Sequence, residues 1–125
     1  MIVAVDLGTS GVRVSAVGSG DEVLALHRTR IKLHSPGPGR EQCMLGDVEA
    51  AVFGVIRSVV AEADQPVEAL SFSSQGEVVF ALDPADRPPH TFTVTMDGSG
   101  IPAVSEWLAD GRTADQFAAV TGQPL

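Results

Sequence analysis

Cysteine is nearly missing from this sequence. Cys43 stands alone, so no internal disulfide can form, and neither it nor His27, His34 and His90 falls into a metal-ligand spacing that would support structural zinc. Basic residues are scarce as well, eight Lys plus Arg against sixteen Asp plus Glu. The formal charge of −8 disfavours a general electrostatic grip on a nucleic-acid backbone or an anionic membrane, so any phosphate must be held locally. No apolar run approaches the roughly 20 residues of a membrane span, and the N-terminus lacks a basic segment followed by an apolar stretch and a cleavage site. A cytoplasmic protein is the expectation. Repeats of solenoid period and low-complexity tracts are also lacking. What remains is 125 residues, 44% of them hydrophobic and 19% charged, enough for one core but not for two large lobes.

The apolar run Ile2 to Val5 reads as a strand buried on both faces in the middle of a sheet. Val12 to Val17 alternates, with Val12, Val14 and Ala16 on one face, as a half-buried strand does. After the turn at Gly18 to Asp21, Val23 to Lys32 keeps β composition but carries Arg28, Arg30 and Lys32 at every second position, a wet face that discourages edge pairing. Three antiparallel strands in succession are expected. His34 to Arg40, rich in Pro and Gly, reads as an exposed connection. Val48, Val52, Val55, Ile56, Val59, Val60 and Ala63 fall at helical spacing, with Asp47 as the cap. Ala69 to Ser73, Val78 to Leu82 and Phe92 to Met96 read as strands, and Asp83 to Pro89 as a turn-rich link. Pro102 to Ala109 and Thr113 to Val120 read as helices making apolar contacts through Trp107, Leu108, Phe117 and Val120. This order suits an α/β fold, a mixed sheet covered by helices.

The chemistry concentrates at Asp6-Leu7-Gly8-Thr9-Ser10-Gly11-Val12-Arg13, between the first two strands. Gly8 and Gly11 allow amide donors to come close to a ligand, and Thr9 and Ser10 add hydroxyls suited to phosphate oxygens. A carboxylate at the strand end, Asp6, can orient hydrated Mg2+, and Arg13 can neutralise charge on a transferring phosphoryl group. The alternative is an ordinary tight hairpin with a solvated Arg13. Neither a P-loop nor a dinucleotide fingerprint is present, because the Gly-Lys-Ser/Thr element and the required glycine spacing are both missing.

The motif Asp6-x-Gly8-Thr9-Ser10-x-x-Arg13 resembles the first phosphate motif of the actin, Hsp70 and sugar-kinase superfamily, and within it the FGGY carbohydrate kinases. Further segments are similar to that family in the same order: Pro38-Gly39-Arg40-Glu41-Gln42 before the helix, Leu70 to Glu77, and Val120-Thr121-Gly122-Gln123-Pro124-Leu125. The resemblance implies a ribonuclease H-like (actin-like ATPase) lobe, left incomplete, with residues 1–125 as a single partial N-terminal domain. It also implies transfer of the ATP γ-phosphoryl group to a sugar or polyol hydroxyl with Mg2+. Asp6 and Arg13 would then be catalytic, Asp6 also positioning the metal, and Gly8, Thr9, Ser10 and Gly11 would contact phosphate. Gln75, Gly76, Glu77 and Asp97 would face the substrate. A polar β turn is the other reading of Gln75 to Glu77, and a turn cap that of Asp97. The chain departs from the family's Trp-x-Asp-x-Arg pattern at Thr95-Met96-Asp97-Gly98-Ser99, which lacks the aromatic wall and the arginine.

Family members are several times longer, and their catalytic base and adenosine pocket come from later sequence. The chain alone is therefore not expected to turn over, and it should pair with a completing C-terminal lobe or self-associate through an exposed apolar surface. A noncatalytic module that binds phosphate or a partner is the alternative class.

Overall fold

The computed structural model describes residues 1–76, 78, 82–85, 87 and 91–125. The chain opens with three strands, β1 (Ile2–Leu7), β2 (Gly11–Val17) and β3 (Val23–Arg30), followed by a hairpin of β4 (His34–Gly37) and β5 (Arg40–Cys43). Helix α1 (Leu45–Ala63) leads to β6 (Ala69–Ser74) and the short β7 (Phe92–Thr93), and two helices close the chain, α2 (Ile101–Ala109) and α3 (Ala114–Thr121).

The larger sheet has the order β3-β2-β1-β6, with β1 antiparallel to β2, β2 antiparallel to β3, and β6 parallel to β1. The expected antiparallel trio is therefore present. Side chains alternate across a strand, so Val3, Val5, Val12, Val14, Ala16 and Ala25 all face α1, where they meet Val55 and Val59. Each buried valine contributes about 1.5–3 kcal/mol relative to an exposed side chain, and each alanine less. The expected double burial of β1 is not found. Ile2 is 48% exposed and Asp6 is exposed, because α1 covers one face of the sheet and nothing among the described residues covers the other.

The connection expected at His34 to Arg40 is instead a hairpin. It belongs to a smaller sheet of order β4-β5-β7. Pro36 is accommodated because β4 is an edge strand whose register slips between the His34–Gln42 and Gly37–Arg40 pairs, where a missing donor costs little. Gly39 turns the chain at φ +68°. Asp47 does not cap α1 as expected. The helix starts earlier, with Met44 at the cap position, and the Asp47 carboxylate in the first turn pairs with His34 Nε2 at 3.0 Å, tying β4 to the helix. The strand expected at Val78 to Leu82 lies outside the described residues, which include only its two ends.

β7 is shorter than expected because the Asp97 N–H donates to the Val94 carbonyl at 2.9 Å and turns the chain. Helix α3 begins with a reciprocal cap between Thr113 and Gln116. It meets α2 through an edge-on contact of Trp107 and Phe117, with centroids 5.9 Å apart, and the Arg112 guanidinium lies 5.7 Å from the Trp107 ring centre. The apolar contacts expected of Leu108 and Val120 leave both side chains exposed. Val120 is 87% exposed, since neither helix contributes a buried residue.

Candidate functional site

The bend between β1 and β2 is held by one backbone hydrogen bond, from Gly8 N–H to the Gly11 carbonyl at 2.9 Å. Its outer side is tied to the segment just after β3, where the Ile31 N–H donates to the Ser10 carbonyl at 3.2 Å. Gly11 is required by close approach rather than by its dihedrals: a β-carbon there would overlap the Thr29 carbonyl oxygen. Gly8 is under no such pressure, with only an ordinary 3.6 Å approach to the Gly11 carbonyl oxygen.

Strand register then fixes which side chains share a face. Asp6 lies opposite Arg13, and Arg13 lies opposite Arg28, so these three form one row across β1, β2 and β3 on the side away from α1. Ser73 of β6 extends the row beyond Asp6. Asp6, Arg13 and Arg28 are exposed, and among the described residues none of them has an ion-pair partner. Together with Gly8, Ser10, Gly11 and Arg30 they line an open depression of about 600 Å³. The structure thus brings together Asp6, Gly8, Ser10, Gly11 and Arg13 of the expected set. It also adds Arg28 and Arg30, which the sequence offered only as a wet edge. Their period-two spacing was the available signal, but only the register with Gly11 and Arg13 turns it into a location.

Thr9 points to the other side of the bend. It lines a second, more apolar cavity of about 200 Å³ with Leu7, Ile31, Cys43, Ser74 and Gln75. The Gln75 N–H continues the sheet by donating to the Leu7 carbonyl at 2.9 Å, which sets its side chain beside Thr9. Gln75 Oε1 is buried and has no hydrogen-bond partner among the described residues. Such an acceptor costs about 1–3 kcal/mol while unpaired. Burial pushes the nearby Cys43 thiol above its ordinary pKa, and the Asp47 charge adds to the rise. Gly76 is exposed, and Glu77 lies outside the described residues.

Asp97 lines neither cavity. One carboxylate oxygen accepts from the Glu41 N–H at 2.7 Å, while the other accepts from the Ser99 N–H at 2.9 Å and from the Ser99 hydroxyl. The Ser99 hydrogen bonds, side chain first, hold its pKa below the ordinary carboxylate value, and the Glu41 N–H lowers it further. Among the described residues no group of three or more His, Cys, Asp or Glu could hold a metal ion by itself, so a metal at Asp6 would take its other ligands from water and phosphate. No helix among them is long and apolar enough to cross a membrane.

The fold recurs in solved structures. A gluconate kinase from Lactobacillus acidophilus superposes with a TM-score of 0.85 at 19% identity, over 94% of this chain and 24% of that one. A xylulose kinase from Rhodospirillum rubrum gives 0.81 at 21% identity, again over 94% and 24%. Plasmodium falciparum glycerol kinase with ADP gives 0.81 at 14% identity over the same shares. The fold is therefore that of the ribonuclease H-like, actin-like lobe, and the chain spans about a quarter of the length of these kinases. Curated protein sequences return no match. Residues 1–125 match the family model described as the FGGY family of carbohydrate kinases, N-terminal domain, and the chain belongs to that family.

Proposed function

We propose that residues 1–125 form a single partial N-terminal domain that supplies the phosphate-binding bend of an ATP-dependent sugar or polyol kinase. The observation that carries this reading is the pair Asp6 and Arg13, without ion-pair partners among the described residues, set opposite each other beside the Gly8–Gly11 bend in an open depression. A solvated carboxylate next to backbone amides and a guanidinium suits a hydrated Mg2+ with a phosphate tail. When bound, that ion would offset charge on the phosphoryl oxygens. Asp6 would orient its water shell, and Ser10 and the Gly11 amide would hold phosphate oxygens, while the Gly8 amide keeps the bend closed through its hydrogen bond to the Gly11 carbonyl. Arg13 would counter the charge that builds in transfer.

Thr9 and Gln75 belong to the other side of the bend, where the unpaired Gln75 Oε1 suits a donor on a sugar or polyol. Gly76 and Glu77 follow directly and would complete that substrate edge. Asp97 is assigned to the turn that it holds, because both of its oxygens are already engaged. Among the described residues that line the depression Asp6 is the one carboxylate and is given to the metal, so a general base would come from the remainder of the kinase.

The test is release of ADP from ATP and Mg2+ across a panel of sugars and polyols, measured on the full-length protein that contains this chain. Activity should appear with one or a few hydroxyl acceptors and fall on the order of a hundredfold or more in Asp6→Asn and Arg13→Gln. The isolated 125 residues should give none above blank. A full-length protein inert on every acceptor, or an isolated chain that turns over, would count against the reading.

A further inference from the structure

Arg13 and Arg28 are directly opposed on neighbouring strands, and Arg30 stands two residues along β3, opposite Gly11. Like charges directly opposite destabilise a sheet, and here neither arginine has an acidic partner among the described residues. Three of the chain's eight basic residues line this one depression, against the single carboxylate of Asp6, in a molecule whose formal charge is −8. Gly11 adds no side chain between Arg30 and the bend, so the guanidinium-bearing edge of β3 is continuous with the Ser10 backbone. An uncompensated cationic cluster in a cavity is relieved by an anion with several charges, and guanidinium forks match phosphate oxygens in pairs.

We propose that Arg28 and Arg30 of β3 form, with Arg13, an oxyanion subsite that grips a polyphosphate and sets the affinity for the phosphate tail entering the bend. The inference rests on the kinase reading only for the identity of the natural ligand. Its electrostatic content stands apart from catalysis.

The experiment titrates inorganic tripolyphosphate, without Mg2+, into the full-length protein and into its Arg28→Gln/Arg30→Gln variant by calorimetry, and also measures KM and kcat with Mg-ATP. The wild type should bind. The variant should bind on the order of tenfold or more weakly, since each lost charge-assisted contact is worth at least a factor of that size. The loss should fall more on KM for ATP than on kcat, and Arg28→Lys/Arg30→Lys should recover part of it. If the double variant fails to fold by circular dichroism, each single variant is read in the same way. A wild type that ignores tripolyphosphate overturns the inference, as does a variant with unchanged affinity and KM. In the latter case, phosphoryl transfer that persists leaves the kinase reading intact. Tripolyphosphate binding lost in the variant without any phosphoryl transfer has the opposite meaning: the subsite stands and the kinase reading falls.

Discussion

Gly11 and Thr29 approach so closely across β2 and β3 that the first carbon of any side chain at Gly11 would overlap the Thr29 carbonyl oxygen. The obstacle is backbone, which cannot swing aside as a flexible side chain can. The contact sets how near the arginine-bearing edge of β3 lies to the bend, so one glycine couples sheet packing to the geometry of the depression.

Gly11→Ala should therefore destabilise the protein by about 1–3 kcal/mol, the usual cost of overpacking. The measurement is the urea midpoint of unfolding, with the slope unchanged. A smaller loss in Gly8→Ala is the internal control, since a β-carbon at Gly8 meets nothing closer than 3.6 Å. Equal losses at the two positions would contradict the assignment of close approach to Gly11 alone.

Asp97 supplies a pH dependence with a definite sign. Its carboxyl has a lowered pKa in the folded protein, owing first to the Ser99 hydrogen bonds. The stabilising contribution is thus fully present above the unfolded carboxyl's value, about 3.9, and is lost as pH falls through the lower folded value. The amide resonances of Glu41 and Ser99 should titrate together in acid, with a midpoint below that of an ordinary aspartate. They should cease to do so in Asp97→Asn. A midpoint at or above the ordinary value would remove Asp97 from its place as the clasp between β5 and the 94–99 turn.

The C-terminal cap of α1, Asp64, adopts a left-handed conformation at φ 46°, where glycine is the usual occupant. Its negative charge also faces the negative end of the helix dipole. Asp64→Gly should raise stability by about 0.5–1 kcal/mol, the difference between relief of the β-carbon penalty and the greater freedom of glycine in the unfolded chain. Thermal unfolding of the two proteins decides it, and a lower midpoint in the variant would show that the acid makes a favourable contact.

Much of this architecture was legible in the residues. The alternation Val12, Val14, Ala16 placed β2 correctly because period two survives wherever one face is buried, and the valine spacing of α1 did the same for the helix. The four family-like segments led to the right superfamily and family. What failed had local causes. Pro36 and Pro38 argued against a strand at His34 to Arg40, but edge position and a slipped register remove the need for the missing donor of Pro36, and Pro38 falls in the turn between β4 and β5. Asp47 had the chemistry of a cap, yet its carboxylate is drawn to His34, a partner thirteen residues away that no local pattern displays. The depression was half visible. Asp6 to Arg13 is one contiguous motif, whereas Arg28 and Arg30 join it only through pairing across strands, and a single sequence gives no register.

The parallel pairing of β1 with β6 has a kinetic corollary. The meander from Ile2 to Arg30 closes through short hairpins, so the bend and its arginines can assemble from contacts local in the chain. β6 must instead find β1 across the whole of α1, and long-range closure of that kind is slow. During synthesis the half that carries Asp6 and the arginines would take shape while the polypeptide is still emerging, and Gln75 would reach its cavity only afterwards. The two sides of the bend thus form at different times, the one that carries the arginines first.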